Sequence, residues 1–178
     1  MMTSPLEIER KWMVKGWPVG TKEAALPLLK EERMEQGYIS VDPTVRIRSE
    51  QENGGKVQYM LCFKSRSDGM VRKETEFSVS REHFQQLEDI IGLPLIPKVR
   101  RTYLLPDGHH LEVNAVDEGT KTAFFYAEVE FLTREDAERF AADAIGLGDY
   151  LSDEVTHTPG MSMGAYWNRV RCADGIGM

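Results

Sequence analysis

Glu7, Glu9 and Lys11 stand at alternate positions near the start of the chain, and this spacing returns throughout. Arg46 pairs with Arg48, Arg72 with Glu74 and Glu76, Lys98 with Arg100, Glu112 with Asn114, and Glu128 with Glu130. Lys64 shares its parity with Cys62 and Met60. Residues i and i+2 of an extended strand lie on one side, roughly 6.5–7 Å apart. Clustered carboxylates call for a cation, and clustered Arg and Lys call for a polyanion. One such strand is ordinary, because an antiparallel sheet with one wet face alternates apolar and polar residues. Seven strands that all carry charge on one side are not. If they close into a barrel with helices outside, the charges line a lumen, which is costly to build unless it is wet and paired with something bound.

The elements that must position these groups follow from the period-two pattern. Strands are predicted over Leu6–Trp12, near Met34–Ser40, and over Thr44–Arg48, Gln58–Lys64, Arg72–Phe77, Lys98–Tyr103, His110–Asn114 and Tyr126–Phe131. Glu52-Asn53-Gly54-Gly55, Pro106-Asp107-Gly108 and Asp117-Glu118-Gly119 supply hairpin turns. Ser80 caps a helix whose apolar face is Phe84, Leu87, Ile90 and Ile91 and which Gly92 stops. Thr133 opens a second helix that runs to Gly146. A shorter helix near Thr21–Leu29 contains Pro27. Residues 158–178, rich in Gly and Met, form a tail or lid that docks as a short helix or stays mobile. The whole chain, 1–178, reads as a single domain.

Composition narrows the partners. Lys plus Arg number 22 against 29 Asp plus Glu, a formal charge of −7, which argues against a general nucleic-acid coat. No apolar stretch reaches the roughly 18 residues of a membrane span. The opening residues have no basic then apolar regions of a signal peptide, so a cytoplasmic location is expected. Cys62 and Cys172 are too few for a disulfide framework or zinc site. Cys62 has no base beside it in sequence, and the four histidines follow no metal spacing; His109 and His110 flank a turn and are expected to be exposed. Arg101 falls on the outer face with Val99. Trp12, Tyr59 and Phe63 are expected to cover the helices, and Met161, Met163, Tyr166 and Trp167 to pack.

Glu7-Ile8-Glu9-Arg10-Lys11 resembles the Glu-x-Glu-x-Lys motif that opens proteins of the CYTH superfamily, the triphosphate tunnel metalloenzymes. Gln36-Gly37-Tyr38-Ile39, Arg46-x-Arg48, Lys64 at a strand end, Glu74-x-Glu76, Lys98-x-Arg100, Glu128-x-Glu130 and Asp153-Glu154-Val155-Thr156 resemble its later motifs, in order. The likeness runs from about Leu6 to Thr156. Two departures stand out. Asn114 occupies a position where many relatives carry Asp, and His157–Met163 replaces a basic and aromatic cluster.

The resemblance implies an eight-stranded antiparallel closed barrel, α+β and mainly β, holding a linear triphosphate. Arg46, Arg48, Lys64, Lys98 and Arg100, with Lys11 and Arg72, would bind the phosphates. Glu7, Glu9 and Glu130, with Glu128, would hold Mg²⁺ or Mn²⁺. Lys11, Glu76 and Glu128 would take catalytic roles, with Glu128, Glu76 or Glu74 orienting a second ion or the attacking water. The implied activity is metal-dependent hydrolysis of inorganic tripolyphosphate or a related small triphosphate. A class IV adenylate cyclase, a thiamine triphosphatase and a non-catalytic polyphosphate- or nucleotide-binding barrel are the alternatives. No nucleic acid or membrane is expected as partner, and a homodimer is the expected assembly.

Overall fold

The computed structural model describes residues 5–20 and 25–173. Its strands are β1 (Leu6–Val14), β2 (Leu28–Val41), β3 (Thr44–Glu52), β4 (Val57–Lys64), β5 (Val71–Ser78), β6 (Ile96–Leu104), β7 (His110–Val116), β8 (Phe124–Glu130) and the two-residue β9 (Asp153–Glu154). They hydrogen-bond in the order β5-β4-β3-β2-β6-β7-β8-β1-β9, all antiparallel. A further pairing of β1 with β5, Glu7 opposite Arg72, closes β1–β8 into a barrel. Past Ile8 the same edge of β1 is taken over by β9.

Alternation then sorts the side chains. Ile8, Trp12 and Val14 of β1 pack outward with Tyr103, Leu111, Val113, Ala127 and Val129 against the segment from Phe131 to Leu151. Within that segment α2 (Arg134–Arg139) begins where Thr133 accepts from the Asp136 amide. The expected single helix to Gly146 is broken. Phe140 leaves the helix with ψ 124°, its ring packs against Trp12 and Phe131, and a 3₁₀ turn follows over Ala142–Ile145. Arg10 stabilises the break: Nη1 donates to the carbonyls of Ala137 and Phe140, which the helix end leaves unpaired. Its Nε and Nη2 grip Glu154 at 2.7 Å each, so β9 is tied down by the same side chain.

The helix α1 (Arg81–Ile91) is capped as its sequence predicts, Ser80 accepting from the His83 amide and Gly92 adopting φ 64°. It lies outside β2–β4, with Phe84 against Tyr59. The Asn53-Gly54 turn has both residues at positive φ, as a tight hairpin requires. A helix near Thr21–Leu29 is not formed: Leu28 and Leu29 begin β2, the Pro27 carbonyl accepts from Leu104 N, and residues 21–24 lie outside the described ones. Phe63 covers no helix. It is 40% exposed and stacks on Phe77, because no helix among the described residues packs over that part of β4 and β5.

The tail docks. Ser162 caps α3 (Met163–Trp167), which runs into a π-helical turn over Asn168–Cys172. Arg171 pairs with buried Asp117 at 2.7 Å, and Tyr166 donates to the same carboxylate. Tyr38, Ile96, Val116 and Tyr126, all of lumen parity, join Met163, Tyr166 and Trp167 in one apolar cluster. Two helices are therefore outside the barrel, as expected, but the third closes one end of it.

His109 is not simply exposed. Its ring meets Phe131 and Phe140, its Nε2 lies 2.9 Å from Asp136 and its Nδ1 2.9 Å from Asp107. Burial opposes the charged ring, but the two carboxylates outweigh it and raise the pKa above 6.5. A group whose folded pKa is raised adds stability that is complete below its unfolded pKa and fades as pH climbs through the folded one. Replacing His109 by Gln is expected to lower Tm by a few degrees at pH 5.5 and by clearly less at pH 9. Thermal melts across that range test it, and a Tm difference independent of pH would exclude the charged clip.

Candidate active site

One cavity of about 760 Å³ occupies the lumen. Every residue expected to bind substrate, to take part in catalysis or to hold metal lines it: Glu7, Glu9, Lys11, Arg46, Arg48, Lys64, Arg72, Glu76, Lys98, Arg100, Glu128 and Glu130. Glu74 and Glu112 line it as well, whereas Asn114 does not. Arg101 points outward, bonded to Glu31 at 2.8 Å with its guanidinium 4.2 Å above the Trp17 ring. Cys62 is 1% exposed, and its thiol groups with Glu74 and Glu76.

The charges are zoned by strand. β3 and β6 supply a deep cationic wall of Arg46, Arg48, Lys98 and Arg100. Arg48 Nε lies 2.9 Å from Glu50, and its Nη2 lies 3.6 Å from Glu76. Arg46 reaches Glu76 only at 3.9 Å, and its buried Nε has no partner. Lys98, 3% exposed, donates to the Tyr126 hydroxyl at 3.2 Å. Burial, and then Arg100, Arg48 and Arg46 beside it, push its pKa well below the usual lysine range. Burial likewise raises the Tyr126 phenol, so its hydroxyl keeps its proton.

β1 and β8 supply the carboxylate wall, with Glu9 opposite Glu130 and Lys11 opposite Glu128. Burial, then Glu128 and Glu7, push Glu9 up to about 8. Glu130 is raised too, by burial and by Glu112. Glu7 differs. Burial opposes its charge, but Lys64 Nζ at 2.7 Å and Arg72 Nε at 2.8 Å hold it down at about 2. Lys64 also reaches Glu74 at 3.0 Å. Two expected phosphate contacts and one expected metal ligand are thus engaged with one another. Among the described residues, the group whose ligand atoms lie within 4.8 Å of one another is Cys62, Glu74 and Glu76; the expected metal set is not drawn together in this way.

The segment from Val155 to Gly164 forms the cavity's remaining side. Thr156 Oγ1 accepts from the Lys11 amide, and Lys11 Nζ donates to the Met161 carbonyl at 2.8 Å. That ammonium lies 4.1 Å from the Tyr126 ring centre and 4.0 Å from Glu128. Gly69, at φ 103°, admits His157: a Cβ there would lie 2.2 Å from its Nδ1. Sequence reading assigned no role to Tyr38 and Tyr126, yet both line the cavity. The signal was present, since Tyr126 shares parity with Glu128 and Glu130. The approach of Met161 had no such signal, because it comes through a loop.

The inorganic triphosphatase NE1496 is similar in structure, with a TM-score of 0.57, 26% identity, and 93% of this chain and 95% of that chain covered. The PH1819 protein from Pyrococcus horikoshii OT3 aligns with a TM-score of 0.55 and 20% identity over 78% of this chain and 84% of that one. A conserved protein from Pyrococcus furiosus aligns with a TM-score of 0.54 and 23% identity over 82% and 90%. No protein-family model and no curated protein sequence matches the chain.

A carboxyl whose folded pKa is raised binds its proton more tightly in the native state, so it costs stability as pH rises from about 4.5 towards 8. In metal-free buffer, Glu9→Gln should therefore melt close to the wild type at pH 5 and several degrees above it at pH 8.5. Calorimetric melts at the two pH values decide the matter. A variant that loses stability at pH 8.5 would show that Glu9 is compensated within the barrel.

Proposed function

We propose that the chain is a member of the CYTH superfamily and a metal-dependent hydrolase of inorganic tripolyphosphate or a related small triphosphate. The observation that carries this reading is the pair of opposed, undercompensated walls. Glu9 resists ionisation on one side, and Lys98 resists protonation on the other. A cation lying on the carboxylates and a polyanion lying on the Arg and Lys groups would relieve both at once. A metal triphosphate has that polarity. The similarity to an inorganic triphosphatase across nearly both whole chains supports the same substrate class.

Glu9, Glu128 and Glu130 would hold Mg²⁺ or Mn²⁺. They are hard oxygen donors in a buried wall, where burial and neighbouring carboxylates already disfavour the bare charge of Glu9 and Glu130. Glu7 would join them with both its oxygens already engaged by Lys64 and Arg72. When bound, the metal would screen the negative charge of the phosphate oxygens. Arg46, Arg48, Lys98 and Arg100 bind those oxygens as donors along the opposite wall. Lys11, fixed by the Met161 carbonyl and the Tyr126 ring, presents its ammonium beside Glu128. Glu128 or Glu76 orients the water that attacks a terminal phosphorus. The P–O bond to the leaving diphosphate breaks, and orthophosphate and diphosphate are the products.

Incubation with tripolyphosphate should release phosphate only when Mg²⁺ or Mn²⁺ is present, and chelation should abolish it. Glu9→Gln should lose that release while still binding tripolyphosphate, an outcome that a purely binding barrel excludes. Cyclic AMP from ATP, or a preference for thiamine triphosphate, would overturn the inorganic substrate.

The facing of the strands sets the second expectation. Arg48→Ala should lower kcat/KM by about a hundredfold, as the loss of a buried phosphate contact does, and Arg101→Ala by less than about threefold. Equal losses in a steady-state phosphate assay would contradict the assignment of Arg48 to the working face.

A further inference from the structure

We infer that Asn114 is a positioning residue: it holds Arg100 in place without adding a second carboxylate to it, which preserves the attraction of that guanidinium for a polyanion. This rests on the triphosphate reading of the cavity.

Asn114 lies on β7, opposite Arg100 on β6 and Tyr126 on β8, and is fully buried. Arg100 Nε donates to its Oδ1 at 3.0 Å. Arginine only donates, so the amide oxygen must face Arg100 and the Nδ2 group must face elsewhere. There Nδ2 finds no acceptor among the described residues. A buried donor without a partner costs free energy. Aspartate is nearly the same size, would accept from the same Nε, would carry no orphan N–H, and would form an ion pair. Judged by the pairing of this one side chain, aspartate is the better residue.

What aspartate would add is a second carboxylate on a guanidinium that Glu112 already approaches at 3.3 Å. The neighbouring cations differ in this respect. Arg48 has Glu50 and Glu76, Arg46 has Glu76, and Lys98 has only a phenolic hydroxyl. Arg46 and Arg100 therefore meet one carboxylate each and Lys98 none, against two for Arg48, so these three are the less neutralised part of the cationic wall. A carboxylate at 114 would oppose every charge of an incoming polyphosphate in a pocket that screens poorly. Asparagine supplies the positioning hydrogen bond and withholds the charge.

The test is calorimetric titration of the metal-free full chain with tripolyphosphate, alongside thermal melts. Asn114→Asp should melt at or above the wild type yet bind about tenfold more weakly or worse. The double variant Asn114→Asp with Glu112→Gln restores a single carboxylate on Arg100 and should return to within about threefold of the wild type. Glu112→Gln alone should bind more tightly. An Asp variant that binds as well as the wild type, or a double variant as weak as the single one, would overturn the inference. If Asn114→Asp fails to fold, Glu112→Gln decides alone, and unchanged or weaker binding refutes the proposal. A wild-type chain that binds no tripolyphosphate at all would instead overturn the triphosphate reading.

Discussion

A strand that alternates apolar and charged residues can bury its apolar face only by committing the charged face to the other side. When eight such strands close on themselves, the other side is a lumen that solvates charge less well than open water does. That constraint runs through the whole structure. Glu7 is ionised because Lys64 and Arg72 sit within hydrogen-bond reach, whereas Glu9, two residues on, has no such partner and holds its proton. Burial pushes both carboxylates towards the neutral form; Lys64 and Arg72 overcome it at Glu7, whereas Glu128 and Glu7 add to it at Glu9.

The apolar layer that makes this interior tolerable lies on both sides of the sheet. Outside, the Ile8, Trp12 and Val129 face packs under the segment carrying Phe140 and Leu147, and Arg10 fastens that segment by its backbone. Inside, Ile96, Val116 and Tyr126 meet α3 and close one end. The working residues sit between these two apolar bodies on paired strands, so their spacing follows the sheet register. The side formed by Val155–Gly164 is built differently. It is held to Lys11 through Thr156 and Met161, groups that belong to a loop.

Much of this was legible in the chain because parity survives folding. Reading every second residue of Glu7–Lys11, Arg46–Arg48, Lys98–Arg100 and Glu128–Glu130 finds the inner wall, since a strand has no means of rotating one residue out of phase without a bulge. Helix capping was equally local, and Ser80 and Gly92 behave as their types dictate. The misreadings occur where a distant partner decides. Phe140 abandons its helix for an aromatic cluster anchored by Trp12 of β1, and His109 leaves solvent for Asp136 of α2. Neither competitor lies within the window that local periodicity surveys.

The amino-acid order by itself determined which side chains share a face, where the main hairpins turn, and that the shared face is ionic, because these depend only on neighbours along a strand. The tertiary structure alone decided which charges meet. Glu7 finds Arg72 across the seam between the first and fifth strands and Lys64 at the end of the fourth, and Asn114 meets Arg100 through a pairing register. Charge compensation depends on distances of a few ångströms between residues tens of positions apart, and only the closure of the barrel sets those distances.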